Sequence, residues 1–514
     1  MNPVIPLFVI MPLAGAFLIM ILGKVLKHPG KILASLTLLF LLVLSIARLA
    51  VSGSDTEIYR VGGWAPVNSI PVAIYMVLDP FSGIILCIIN MIGFLSVIYS
   101  ISYISRYTSE NYFYALFCLM VGGMNGVVLS GDLFNIFVFL EISAISSYAL
   151  VAFGVEKEEL EATFKYQVLG VLASFLILFG IALIYWKTKT LNIADIRSVF
   201  LSGYDRSYYL LVQILLLSGF GLKAAVIPFH AWLPDAHSSA PSPISAMLSG
   251  VLIKAAGIYV IIRLFFNMFI ISEEIAILIT TLGTLSMVIG VFLAIGQWDL
   301  KRLLAYHSIS QMGYVVVSVG IGMILMARNM RQEVAALAIY GGIFHLINHA
   351  VFKGLLFLDA GAIEYSTGTR DLHDMGGLSE TMPATSATSL IASLSISGIP
   401  PFNGFFSKLI IIVAAIMARF YLLAVLAAIV SIITLASFMK FQRYAFYNIP
   451  GNQKKESKTI KEVPFPMIFS MAVLSILCLL LSLLALPGVR EIILSPVTDI
   501  LTDPTKYLFQ LTGV

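Results

Sequence analysis

The segment that decides the fold is Gly221–Leu248, GLKAAVIPFHAWLPDAHSSAPSPISAML. It opens inside a long apolar run, yet it holds Lys223, Asp235, two histidines and four prolines. In a soluble protein it would pass as a loop. The rest of the chain argues otherwise. Of its 514 residues, 59% are hydrophobic and only 11% charged, with a mean hydropathy of +0.98. Soluble domains are typically near a quarter charged. Apolar segments long enough to cross a bilayer as helices recur from end to end. The segment therefore lies partly at membrane depth, where a charge and a broken helix are both costly.

Working outward, hydropathy and loop signals predict an all-helical polytopic membrane protein with about fourteen spans. They fall near 3–23, 31–51, 76–104, 112–130, 132–153, 164–186, 208–234, 243–269, 272–297, 301–327, 335–363, 383–419, 421–446 and 464–487. The first has no basic region before it and is followed at once by another span, so it reads as a membrane helix and not as a cleaved signal peptide. The net charge of +4 is spread through short loops, which excludes a nucleic-acid surface. Cys87, Cys118 and Cys478 lie far apart without metal-binding spacing, and no glycine-rich phosphate loop follows a predicted strand. No cofactor is expected in this chain; any redox chemistry would belong to a partner.

Basic residues gather on one side: Lys24, Lys27 and Lys31, then Lys301 and Arg302, then Lys440, Arg443, Lys454, Lys455, Lys458 and Lys461. The positive-inside rule makes that side cytoplasmic and places both termini outside, although Lys187, Lys189, Arg197 and Arg206 oppose it. The seventh and twelfth spans are each interrupted, at KAAVIPFHAWLP and SISGIPPFNGFFSKLI. Each has proline in mid-segment, an aromatic close behind and a lysine nearby. They stand five spans apart, the pattern of a transporter-type repeat. The expected divisions are 1–111 (three helices), 112–270 and 271–447 (two five-helix repeats) and 448–514 (a loop and the last span).

Several charges stand away from span ends: Glu141, Lys223, Lys254, Lys353 and Lys408. Each costs on the order of 3 kcal/mol at the bilayer centre even on lenient scales. Lys353 is placed where it could snorkel to an interface; Glu141, Lys223 and Lys254 have long apolar flanks on both sides. Burial disfavours the charged form of lysine and of glutamate, and pairing opposes it. A lysine whose glutamate comes and goes can therefore switch charge, and a chain of such groups is a proton relay. A static salt-bridge network would use the same residues. His345, His349 and Lys353, spaced by four, share one helix face. His307 precedes Gln311 by one turn, beside Ser308 and Ser310. No third ligand stands at metal-site spacing, so these histidines read as relay groups and no metal is expected. Proline cannot donate to the helix ladder, so Pro228, His230 and Pro234 are expected to mark a hydrated break beside Lys223, with Pro400 and Pro401 marking the second break.

At these residues the sequence resembles the antiporter-like membrane subunits shared by respiratory complex I, Mrp-type cation/proton antiporters and membrane-bound hydrogenases. The matching segments are LFNIFVFLEISAISSYAL, the opening segment from Lys223, LKRLLAYHSISQMGY, NHAVFKGLLFL and SGIPPFNGFFSK. The resemblance implies fourteen helices, two inverted five-helix repeats and discontinuous helices seven and twelve. It also implies that Glu141 is the fifth-helix glutamate, Lys223 the central lysine and Lys254 the eighth-helix lysine. His345 and His349 fall at eleventh-helix polar positions, and Lys408 at the twelfth-helix ionisable position, where some members have glutamate. Asp235 and Lys353 stand beside these motifs. A short tail after the last span and the lysine at 408 point to a D-type Mrp subunit or its counterpart in a hydrogenase. Low Cys and Gln usage leans toward a thermophile, and so toward a membrane-bound hydrogenase or related complex I-like assembly. The implied partners are other membrane subunits and a peripheral iron–sulfur or hydrogenase arm, in a prokaryotic cell membrane. A stand-alone secondary transporter and a purely structural scaffold are the rival readings.

Overall fold

The computed structural model describes residues 2–53, 55–64, 73–107, 109–203, 205–447, 460–503, 505 and 507. Lys454, Lys455 and Lys458 of the basic side lie outside these residues. The chain is a bundle of helices: α1 Leu7–Leu22, α2 Pro29–Ser52, α3 Pro80–Tyr103, α4 Glu110–Leu129, α5 Leu133–Val151 and α6 Lys157–Thr188. Next come α7 Ile193–Ser202, α8 Arg206–Lys223, α9 Trp232–Ser239, α10 Ser242–Met247 and α11 Val260–Arg263. The remainder are α12 Glu273–Ile295, α13 Leu300–Ala327, α14 Gln332–Thr367, α15 Leu378–Thr381, α16 Pro383–Ser397 and α17 Asn403–Met417, then α18 Tyr421–Gln442, α19 Phe465–Leu480, α20 Pro487–Ile493 and α21 Ser495–Thr502. Among the described residues, eleven helical stretches are long and apolar enough to cross a membrane, and α1 and α17 are shorter apolar helices.

Two boundaries differ from expectation, each for a local reason. The third span begins at Pro80, not at 76: Tyr75–Leu78 is strand β2, antiparallel to β1 (Glu57–Arg60). Proline disfavours helix at the residue before it. Asp79 caps α3 instead, its side chain accepting from Ser82 N–H at 2.8 Å while Ser82 Oγ accepts from Asp79 N–H at 2.7 Å. Helix α6 starts at Lys157, ahead of its apolar core, behind a Glu156/Glu159 capping box. Helices α7, α20 and α21 are short and gave no span-length signal; Asn192 caps α7 through the N–H groups of Ala194 and Asp195.

Both interrupted spans are broken. Helix α8 stops at Lys223, the chain turns through a left-handed Ala225 (φ 53°), and α9 resumes at Trp232. Helix α16 stops at Ser397, turns through Gly398 (φ 76°), and α17 resumes at Asn403. Freed main-chain groups find side chains, as buried backbone must. Ser286 Oγ accepts from Ile227 N–H at 2.9 Å, and Trp232 Nε1 donates to Leu222 O at 3.0 Å. Ser431 Oγ donates to Ser397 O at 3.0 Å. A Cβ on Gly404 would fall 1.8 Å from Ser395 O, so only glycine lets α17 fold back against α16.

The helix after the first break, Ser242–Met268, is wound as π-helix over Leu248–Leu252, Lys254–Tyr259 and Leu264–Met268. It is buried along its length, with Gly257 packed directly on Ala224 at the end of α8. Lys223 and Lys254 thus sit on contacting elements.

Candidate functional site

Glu141 on α5 and Lys223, the last residue of α8, form an ion pair at 3.5 Å. Ser174 Oγ of α6 donates to the same Glu141 oxygen at 2.5 Å. The lysine side chain is 6% exposed and the glutamate side chain 27%. Its α5 neighbours Val138 and Ile145, three before and four after, are also exposed. The carboxylate therefore lies at the perimeter of the bundle, between the buried lysine and whatever adjoins the chain.

Farther inside, the lysines are seated on main-chain oxygen. Lys254 Nζ donates to Ser249 O at 2.5 Å, Lys353 Nζ to Leu304 O at 2.6 Å and Lys408 Nζ to Ile396 O at 2.7 Å. Ile396 lies in the last turn of α16, where the helix dipole presents free carbonyls and favours a cation. Lys408 also lies over the Tyr314 ring, 5.0 Å from its centre. All three lysines are at most 3% exposed, so Lys353 does not snorkel.

Between them run polar side chains from five helices. Ser249 Oγ meets Ser308 Oγ at 2.7 Å, and His307 Nε2 meets Ser437 Oγ at 2.8 Å. His345 is held on both nitrogens, Nδ1 by Ser407 Oγ at 2.9 Å and Nε2 by Gln311 Oε1 at 3.2 Å. His349 is fully buried with neither ring nitrogen bonded, within electrostatic reach of Lys254, Lys353, His345 and Lys408. The expected residues of the second half thus come together as one buried cluster. The Glu141–Lys223 pair stands apart from it; among the described residues no hydrogen bond links Lys223 to Lys254.

The prolines shape the breaks without entering the row. Pro228, Pro400 and Pro401 are exposed at the perimeter, and Pro234 is buried within α9. His230 is half-buried, its Nδ1 3.3 Å from Pro228 O, and is not brought to Lys223 by any hydrogen bond. Asp235 lies at the rim, paired with Lys165 at 3.1 Å and Arg302 at 2.8 Å. It lines a polar cavity of about 370 Å³ that shares Glu158 and Arg370 with a second of about 170 Å³. The second is lined by Lys301 and Glu364, themselves 2.8 Å apart.

Three features went unread in the sequence. His237 on α9 is fully buried, has no bonded ring nitrogen, and lies within electrostatic reach of Lys254 and Lys353. The two residues after Ser238, Ser239 and Ala240, line the smaller polar cavity. The same quoted segment held it, but only the turn of α9 carries it inward. Asp359 is likewise fully buried, on α14. At the opposite end of the bundle Arg263 makes two bonds to Asp79, at 2.7 and 2.8 Å, and touches Tyr259 and Asn267. Among the described residues no three His, Cys, Asp or Glu side chains gather as metal ligands.

Comparison with known proteins bears on this arrangement. The family described as NADH:quinone oxidoreductase/Mrp antiporter, TM, matches residues 130–434, and the N-terminal family of complex I chain 5 matches residues 64–114. The D-type subunit of the Na(+)/H(+) antiporter of Alkalihalophilus pseudofirmus is 34% identical over 514 residues, 99% of each chain. NADH-quinone oxidoreductase subunit N of Desulforudis audaxviator is 33% identical over 420 residues, 81% of this chain and 79% of its own. Among solved structures, a chain of the Mrp complex from Dietzia sp. superposes with a TM-score of 0.87 at 28% identity over the whole of both chains. A chain of the membrane-bound sulfane sulfur reductase, an archaeal respiratory membrane complex, gives 0.87 at 26% over 99% of each. With a match over more than half its length and a full-length relative, this multi-pass membrane chain belongs to the NADH:quinone oxidoreductase/Mrp antiporter transmembrane family.

Proposed function

We propose that the chain is a proton-translocating, antiporter-like subunit of a multisubunit membrane complex. It has fourteen spans built from two inverted five-helix repeats, 112–270 and 271–447, and both termini face outward. The observation that carries the reading is the Lys254–His349–His345–Lys408 cluster: four buried ionisable groups, with the two lysines on main-chain oxygens, His345 held by Ser407 and Gln311, and His349 unbonded. In this reading Lys223 holds a proton stabilised by Glu141. A neighbouring subunit weakens that pair at its half-exposed carboxylate, and the released charge passes by Lys254 and the histidines toward Lys408. The chain itself needs no cofactor.

The full-length likeness to a D-type antiporter subunit supports assembly in a Mrp-type sodium/proton antiporter. The equally extensive likeness to a respiratory-complex subunit supports the second reading, a pump module beside a peripheral iron–sulfur or hydrogenase arm. The preference for a hydrogenase within that reading rests on composition. Purifying the tagged chain from its host in mild detergent separates the two. Co-purifying iron–sulfur or nickel subunits mean a redox-driven pump; small membrane subunits without metal mean an antiporter. Glu141→Gln should abolish coupled transport in membrane vesicles while the complex still assembles, and normal transport in that variant would sink the relay.

A further inference from the structure

The relay leaves one ionisable group unused. Asp359 lies on α14 six residues beyond Lys353, roughly 9 Å along the axis. It is fully buried; its Oδ1 accepts from Thr388 Oγ1 at 2.7 Å, and among the described residues its Oδ2 meets no donor. Among the described residues, the titratable groups around it are Tyr99 of α3, Cys478 of α19 and Glu462 just ahead of α19, none of them a cation. Tyr99 gives its hydroxyl proton to Leu358 O, at 2.8 Å, and not to the carboxylate. Burying an ionised carboxylate without a counter-charge is so costly that such a group takes up a cation. The free oxygen is the position at which a cation would remove that cost.

A polar ladder leads to it from the basic face. Glu462 is half-buried there, its Oε1 accepting from Thr385 Oγ1 at 2.6 Å and its Oε2 from Ala384 N–H at 2.8 Å. One turn deeper, Thr388 Oγ1 touches Thr385 O at 3.1 Å and Asp359 Oδ1 at 2.7 Å. The ladder runs roughly 8 Å into the bundle from the start of α16. Among the described residues no hydrogen bond joins Glu462, Thr385, Thr388 or Asp359 to the histidine–lysine cluster.

We propose that Asp359 is a second proton-binding site, loaded from the basic face along Glu462, Thr385 and Thr388 and separate from the histidine–lysine cluster. On loading, a hydronium ion transfers one proton to Oδ2 and leaves as water. On release the O–H bond breaks, a water takes the proton, and the carboxylate keeps the Thr388 hydroxyl. The use of this site in transport rests on the proton-translocating reading; its protonation does not.

The test is infrared spectroscopy of the native complex at neutral pH, paired with transport in vesicles. Asp359→Asn should remove one carbonyl band of a protonated carboxylic acid and slow transport at least tenfold, with partial recovery in Asp359→Glu. Thr388→Val, which keeps the shape and deletes the hydroxyl, should shift the same band. An unchanged band in Asp359→Asn overturns the proposal, as does loss of the wild-type band on adding sodium at constant pH, since a metal ion would then hold the carboxylate. If Asp359→Asn does not assemble, an unshifted band and normal transport in Thr388→Val overturn it. Failure of Glu141→Gln to stop transport would strike the relay and leave the Asp359 band as a separate result.

Discussion

Arg263 and Asp79 show what full pairing achieves for a buried charge. The guanidinium is 3% exposed and meets both carboxylate oxygens, the Tyr259 hydroxyl and Asn267 Oδ1, with the Tyr507 ring 5.1 Å away. Removing one member strands the other, which typically costs about 3–5 kcal/mol. Asp79→Asn should therefore lower the thermal unfolding temperature of the purified complex sharply, because the stranded guanidinium cannot shed its charge, and Arg263→Leu less, because the carboxyl left behind can take up a proton. Equal losses would mean that packing, and not charge, dominates the site. The Glu141–Lys223 pair is built in the opposite way: it is longer, half-exposed on one side, and propped by one hydroxyl. Ser174→Ala removes a charge-assisted bond worth about 1.5 kcal/mol or more. It should slow transport roughly tenfold without loss of assembly, measured as proton uptake in vesicles.

The two broken helices place these residues, and their stability depends on side chains far away in sequence. Ser286 satisfies the Ile227 N–H at the first break. Ser286→Ala leaves that donor buried, at a cost of about 1–3 kcal/mol, whereas Ser286→Thr keeps the acceptor; thermal unfolding of the two variants should separate accordingly. Both breaks were legible because proline in an apolar run, with a lysine nearby, does not fit an unbroken helix. Glu141, Lys223, Lys254, Lys353 and Lys408 were legible for a related reason, since a charge amid apolar neighbours stands out. His237 and Asp359 were harder to see: one lay among residues that read as a turn, the other near the end of a long span where a charge looks solvated. Their burial is a product of tertiary packing, by α9 turning inward and by α16 and α19 covering α14. The π-helical winding within 248–268 left no trace in periodicity, because that helix is buried on every face.

Across the bundle, the partly exposed Glu141 stands one turn before Ile145 on α5 and meets Ser174, the α6 neighbour of Phe175; Ile145 and Phe175 are 62% and 66% exposed. Lipid suits the rings but not the carboxylate, so the proposed function predicts that a neighbouring subunit covers this face. A cysteine placed at Phe175 should react with a membrane-permeant maleimide in the isolated chain and be shielded in the intact complex; equal labelling would assign the face to lipid. The carbonyl seats of Lys254, Lys353 and Lys408 carry a different consequence. A neutral amine still has N–H groups to give, so a lysine that loses its proton can remain on the same oxygen. A carboxylate partner would pull back far harder, because the attraction between opposite charges vanishes with the proton. On the proposed reading, loading and unloading these sites would need little rearrangement of their seats. The cluster would then act as a passive conductor, with the motive force supplied at its ends, by ion gradients or by adjoining subunits.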